Sequence, residues 1–248
     1  MTEFDWARGL PRGIRILLAF SGGVDSAVAA HLCRERGFSV LAVHMILHGA
    51  PPTERVRDAA DALGVPLRIV DLRERFRNAV MRPCWEILRG GRTPNPCALC
   101  NPAIKFGALW EFAEECGCRI MATGHYARIV PLPDRPDEVA LLRGVHREKD
   151  QSYFLFGLSQ AQLARAVFPL GGMKKDDVRS VARSLGLSAA DAKESQDVCF
   201  SRPGELGATL QSEFGGAPPG GEFVDEATGR IVGRHPGVHR FTIGQRKG

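Results

Sequence analysis

Cys97 and Cys100 stand in "RTPNPCALCN" (residues 92–101), and Cys199 follows far downstream in "SQDVCF" (195–200). A Cys-x-x-Cys pair can ligate a metal, close a disulfide or carry sulfur as a reactive thiol. Zinc on Cys97 and Cys100 needs two further ligands; the chain has no second Cys-x-x-Cys, and Cys199 would bring the set only to three thiolates. A different chemistry lies in "AFSGGVDSAV" (19–28). Gly22 and Gly23 permit a tight turn in which backbone N–H groups approach an anion. Ser21 and Ser26 add hydroxyl donors, and a helix start just behind them supplies a favourable dipole. The stretch lacks the Gly-Lys-Ser/Thr of a Walker A loop and is not Gly-x-Gly-x-x-Gly.

Elements that alternate along the chain must hold these groups. "ILLAF" (16–20) and "SVLAVHMI" (39–46) read as buried strands, "LRIVDL" (67–72) as a third strand and "RIMATGH" (119–125) as a fourth that ends in a glycine loop. Helical periodicity runs over 26–36, ending at Gly37, and over 53–64, where Thr53 is a plausible N-cap and Gly64 the stop. Further helices fall at about 73–89 and 103–117, with a Pro-rich cysteine loop between them. The fold class is therefore α/β with a doubly wound parallel sheet. After about residue 200 the chain turns rich in Gly and Pro with short β-like runs, which predicts a small β-rich domain appended over 201–248, with turns at Gly220–Gly221 and Thr228–Gly229. Cys33 in mid-helix reads as a small hydrophobe, and Cys116 and Cys118 beside Gly117 as structural. His44 and His48 have no evident task, and Lys105 reads equally as a phosphate anchor or a solvated helix residue.

Seven cysteines are an odd number, and the first residues lack a signal-peptide layout. Together they argue against a disulfide framework and for thiol or metal chemistry in the cytoplasm. No apolar run of about 18 residues exists, so no membrane span is expected. The net charge of +5 fits a polyanionic partner. Arg68, Arg73, Arg75, Arg77 and Arg82 cluster, although solvated helix faces account for such a cluster equally well.

The Ser21–Ser26 segment resembles the SGGxDS signature of the PP-loop ATP pyrophosphatases. That resemblance implies cleavage of ATP between its α and β phosphates, with Asp25 helping to hold Mg²⁺. "GRTPNPCALCNPAIKF" (91–106), "ATGHYAR" (122–128), "KDQSYFL" (149–155), "SQDVCF" and "FTIGQRKG" (241–248) together resemble the tRNA-specific 2-thiouridylase family, in its order and at similar spacing. The resemblance implies ATP-dependent 2-thiolation of the wobble uridine of tRNA, with AMP and pyrophosphate released and sulfur brought by a donor protein such as a cysteine desulfurase or a sulfur relay. It assigns ATP to Ala19, Phe20, Ser21, Gly22, Gly23, Val24, Asp25 and Ser26, with Met45 at the adenine and Gly124 at the nucleotide's border. Asn95, Pro96 and Cys97 would meet the target base, and His125, Lys149, Asp150 and Gln151 the tRNA. Cys100 matches the family's nucleophile and Cys199 its persulfide carrier.

Two departures from the family stand out. Many relatives have Asp where this sequence has Cys97, so Cys97, Cys100 and Cys199 could instead ligate a 4Fe–4S cluster whose free iron carries hydrosulfide. The family also continues past "GQRKG" into a C-terminal β-barrel that grips tRNA, and that barrel is expected to be absent here. The expected division is then a thiolation domain over 1–200 and the β-rich domain over 201–248. The remaining alternative is a truncated paralogue that binds nucleotide or tRNA without turnover.

Overall fold

Strands without a polar face need cover on both sides, and the computed structural model, which describes residues 4–50, 54–187 and 198–245, supplies it. In β1 (Arg15–Ala19) Ile16 and Leu18 enter one hydrophobic core and Leu17 the other. In β2 (Ser39–Ile46) Val40 and Ala42 join the first core, while Leu41 and Val43 join the second. With β3 (Leu67–Asp71), β4 (Ile120–Ala122) and β7 (Ala166–Val167) these strands form a wholly parallel sheet in the order β3-β2-β1-β4-β7. The first core is covered by α1 (Val24–Glu35), α2 (Glu54–Ala62) and α8 (Lys175–Ser184). The second lies beneath the cysteine-bearing helices and α9 (Leu206–Phe214). The expected doubly wound sheet is present.

The helix expected at 73–89 is one rod in three parts: α3 (Arg73–Phe76), a wide π turn (Arg77–Met81) and α4 (Arg82–Arg89). The cysteines, expected in a loop, lie instead on α5 (Pro96–Cys100), which continues through a second π turn (Asn101–Ala108) into α6 (Leu109–Glu115). Pro83 and Pro102 lie just after or within the widened turns. A proline in a helix donates no N–H and crowds the carbonyl four residues back, and a wider turn relieves both.

The elements between the fourth predicted strand and the final hairpin escaped the sequence pattern: the antiparallel hairpin of β5 (Ala127–Leu132) with β6 (Arg135–Arg143), the short helix α7 (Gln160–Leu163), β7, α8, and α9, which precedes the hairpin of β8 (Gly221–Val224) and β9 (Ile231–His235). The turn expected at Thr228–Gly229 is present, closed by Asp225, whose carboxylate accepts from the Thr228 amide at 2.8 Å. Among the basic cluster, Arg73, Arg75 and Arg77 are ion-paired with Asp71, Glu111 and Glu213. The Arg77 and Arg82 guanidinium groups lie 4.7 and 4.9 Å from the Phe214 ring centre, so these cations fasten α9 to the helix beneath it. The proposed N-cap Thr53, and residues 195–197 and 246–248 of two family-like blocks, lie outside the described residues. No described helix is long and apolar enough to cross a membrane.

Candidate active site

β1 delivers Ala19 and Phe20 to the sheet's C-terminal edge, where an open α/β sheet receives ligands. The turn that follows is braced from within. The Ser26 hydroxyl donates to the Gly23 carbonyl at 2.9 Å and accepts from the Ser21 amide at 3.3 Å, while the Gly23 amide donates to the Ser21 hydroxyl at 3.3 Å. Gly22 has φ 73°, a left-handed conformation costly for any residue with a Cβ. Gly23 opens α1 with no side chain capping it, so the amide end of the helix is available to an anion. Gly124 packs so closely behind the loop that a Cβ there would lie 3.1 Å from the Asp25 backbone.

Asp25 is held from two distant parts of the chain. The Tyr126 hydroxyl donates to its Oδ1 at 2.8 Å, and the buried Lys175 ammonium reaches both oxygens at 2.7 and 2.8 Å. His44, expected to have no task, points Nδ1 at the Phe20 carbonyl at 2.9 Å, steadying the strand end just before the loop.

On the far side of the same opening, Asn95 caps α5 by accepting from the Ala98 amide at 3.1 Å, and Pro96 takes the first helical position, where its missing N–H costs nothing. This start leaves Cys97 exposed and turns Cys100 inward. Cys199 arrives from the other end of the chain because its neighbour Phe200 is an anchor. That ring is buried against Phe76 at 5.4 Å and His48 at 6.4 Å.

One cavity of about 470 Å³ joins the two halves. Its walls include Ala19, Phe20, Ser21, Asp25, Ser26, Met45 and Gly124 from the expected ATP set. Pro96, Cys97, Cys100, His125, Gln151 and Cys199 line it as well. Gly22, Gly23 and Val24 form the turn behind it, and Asn95 acts through its cap. Lys149 and Asp150 are not among the lining residues. The Asp150 carboxylate accepts from the Gly144 amide at 2.9 Å and the Ser152 hydroxyl at 2.9 Å, so it braces the turn that carries Gln151. Gln151 in turn clamps Tyr126, accepting from its amide and donating to its carbonyl, both at 3.0 Å.

Burial pushes the Cys100 thiol up to about 12; the Lys105 ammonium pulls the other way, and the nearby Cys199 and Cys97 sulfurs add to the rise. Cys199 keeps an exposed side chain, yet partial desolvation by the cavity wall raises its thiol too, Lys105 again pulling the other way and Cys97 adding to the rise. His125 is buried and held neutral, its pKa driven well below the usual imidazole range by burial and by Lys105. Its Nε2 lies 3.4 Å from the Lys105 ammonium, which can only donate, so Nδ1 carries the proton toward Thr123 Oγ1 at 2.6 Å. Burial raises the Cys33, Cys84 and Cys118 thiols, in keeping with inert packing residues. Lys175, Tyr126, Thr123 and Phe200 were not singled out from sequence; each is a common residue type in an unremarkable element, and only the three-dimensional meeting gives it a role.

The family described as "tRNA methyl transferase HUP domain" matches residues 14–202, and that described as "tRNA methyl transferase PRC-barrel domain" matches 209–248. A protein of Syntrophotalea carbinolica named tRNA-specific 2-thiouridylase MnmA is 45% identical over 242 residues, covering 94% of this chain and 68% of that protein. One of the same name from Nocardioides is 43% identical over 251 residues, covering 95% of this chain and 68% of that protein. A crystal structure titled as a predicted subunit of tRNA methyltransferase, from Methanocaldococcus jannaschii, aligns at TM-score 0.43 and 17% identity over 68% of this chain and 76% of that one, too slight a likeness to bear on function. Identity of this order across nearly the whole chain, together with the matched HUP domain, means that the chain belongs to the tRNA-specific 2-thiouridylase family.

Proposed function

We propose that the chain is an ATP-dependent tRNA sulfurtransferase that converts the wobble uridine to 2-thiouridine. The observation that carries this reading is the single cavity shared by the phosphate loop and three thiols. Methyl transfer, the activity in the matched domains' descriptions, would leave both the loop and the thiols without a task. ATP fits a cradle of uncapped amides and serine hydroxyls, and Asp25 offers Mg²⁺ a hard oxygen that it would share with Lys175.

Adenylation at O2 makes C2 of the uracil electrophilic and releases pyrophosphate. The terminal sulfur of a Cys199 persulfide attacks C2, and AMP leaves with the bonding pair of its C2–O bond. Cys100, as thiolate, then attacks the Cys199 sulfur; the S–S bond to the base breaks, 2-thiouridine departs, and a Cys100–Cys199 disulfide remains for an external thiol to reduce. Asn95, Pro96 and Cys97 border the target base, and a donor protein recharges Cys199. Residues 1–200 carry the chemistry and 201–248 assist in holding tRNA. Free thiols of this kind suit a reducing compartment such as the cytoplasm. Among the described residues no three His, Cys, Asp or Glu side chains converge on a metal position, so the three thiols as placed do not offer a ready-made seat for a 4Fe–4S cluster.

The test supplies tRNA, ATP·Mg and a persulfide donor under anaerobic conditions and follows AMP, pyrophosphate, thiolated tRNA and iron in one sample. The expected result is stoichiometric AMP and 2-thiouridine without iron, abolished by Cys199→Ser. Full thiolation by Cys199→Ser would overturn the persulfide assignment, and thiolation strictly proportional to bound iron would replace it with the cluster route.

A further inference from the structure

Two large aromatic side chains stand in solvent beside the cysteine helix, where burial alone gives them no reason to be. Tyr153 and Phe156 are 67% and 69% exposed, with ring centres 6.0 Å apart and planes tilted by 38°. The segment bearing them is not a loose loop. Leu155 between them is fully buried, and Asp150 ties the start of the turn. Asn101, immediately after Cys100, donates from Nδ2 to the Phe154 carbonyl at 2.8 Å, and Gly157 backs onto Pro102 and Ala98. The rings are therefore presented on a turn fastened to the cysteine helix, next to cavity-lining Gln151, with Arg147 and Lys149 on the short helical turn just upstream.

We infer that Tyr153 and Phe156 form a stacking platform for an unpaired nucleobase of the tRNA adjacent to the base being thiolated. The inference rests on the proposed tRNA chemistry and goes beyond it. Drawing a base into the cavity takes it out of its stack and leaves a neighbour's face uncovered. A rigid aromatic surface at the rim restores that stacking to any base, and nearby cations meet the backbone phosphates.

The probe is an anticodon stem-loop RNA with 2-aminopurine flanking the target uridine, used with the full chain. Wild type is expected to quench its fluorescence. The double variant Tyr153→Ser, Phe156→Ser, which removes only exposed rings, is expected to lose the quench and to raise KM for tRNA roughly 5- to 100-fold. Its kcat at saturating tRNA, its ATP affinity without RNA and its melting temperature should stay at the wild-type values, and Tyr153→Phe, Phe156→Tyr should restore binding. A double variant within twofold of wild type in KM overturns the platform while leaving the thiolation reading intact. Normal RNA binding with lost persulfide acceptance would assign the rings to the sulfur-donor protein, and a change in oligomeric state alone would assign them to a second copy; either overturns the inference. Wild type that binds and thiolates no tRNA overturns the functional reading itself.

Discussion

Burial and charge oppose each other at Cys100 and Cys199, the residues proposed to handle sulfur. Cys100 sits 7% exposed with its thiol pushed up to about 12, which leaves only a small fraction as thiolate at neutral pH. The Lys105 ammonium is the group that pulls both Cys100 and Cys199 back toward ionisation. Its neighbour His125 stays neutral and accepts from it, so the ammonium is the cation that acts on both thiols. Removing the charge at Lys105→Met should shift the alkylation profile of Cys199 to higher pH and slow iodoacetamide labelling at pH 8 by roughly threefold to tenfold. Lys105→Arg should retain most of the wild-type rate. Labelling of Lys105→Met at the wild-type rate across pH 7–10 would remove the lysine from thiol activation. The same opposition predicts that sulfur release through Cys100 accelerates with pH between 7 and 9, because the thiolate fraction grows about tenfold per unit below its pKa.

The continuous helical run from Pro96 to Glu115 depends on how it begins. Asn95 contributes one side-chain acceptor, and Asn95→Ala should cost about 1 kcal/mol, a fall of roughly 2–4 °C in Tm for a chain of this size. Because the first turn bears Cys97 and Cys100, thiolation should fall further than ATP binding; equal loss of both would mean that the cap serves stability alone. This helix start also marks the limit of what the sequence disclosed. Pro94 and Pro96 read as breakers, yet a proline preceded by Asn is also the signature of a helix beginning, and the pattern alone does not choose between them. β1, β2 and β4 were legible because buried strands are runs of apolar residues, and the half-exposed β3 because Leu67, Ile69 and Val70 still stand out from their polar surroundings. β7 was not, because Ala166 and Val167 are too short a run to rise above background. The Gly-rich turn at Ser21–Ser26 and the cysteines stood out by spacing and meet in one cavity, whereas Lys105 was undecided because a lone lysine on a helix looks the same facing a thiol or water.

At the scale of the whole molecule, the site is assembled from the chain's two ends, and the Asp25 contact is where that assembly can be measured. Asp25 comes from the first helix, Tyr126 from beyond β4 and Lys175 from the start of α8, so one carboxylate ties three distant stretches together. The Lys175 side chain is 4% exposed and Asp25 36%. Removing one partner of a fully buried pair costs about 3–5 kcal/mol, and the partial access of water to Asp25 reduces that here to about 2 kcal/mol. Lys175→Met should therefore lower Tm by roughly 4–8 °C. It should also raise KM for ATP·Mg, because the carboxylate proposed to share the metal loses the group that aims it. Paired melting curves with and without ATP·Mg separate the two roles. A staple that only joins α8 to α1 predicts a lower Tm with an undiminished ATP-induced rise, whereas an aiming role predicts that the rise shrinks as well. A Tm within 1 °C of wild type together with an unchanged KM would mean that neither role belongs to Lys175.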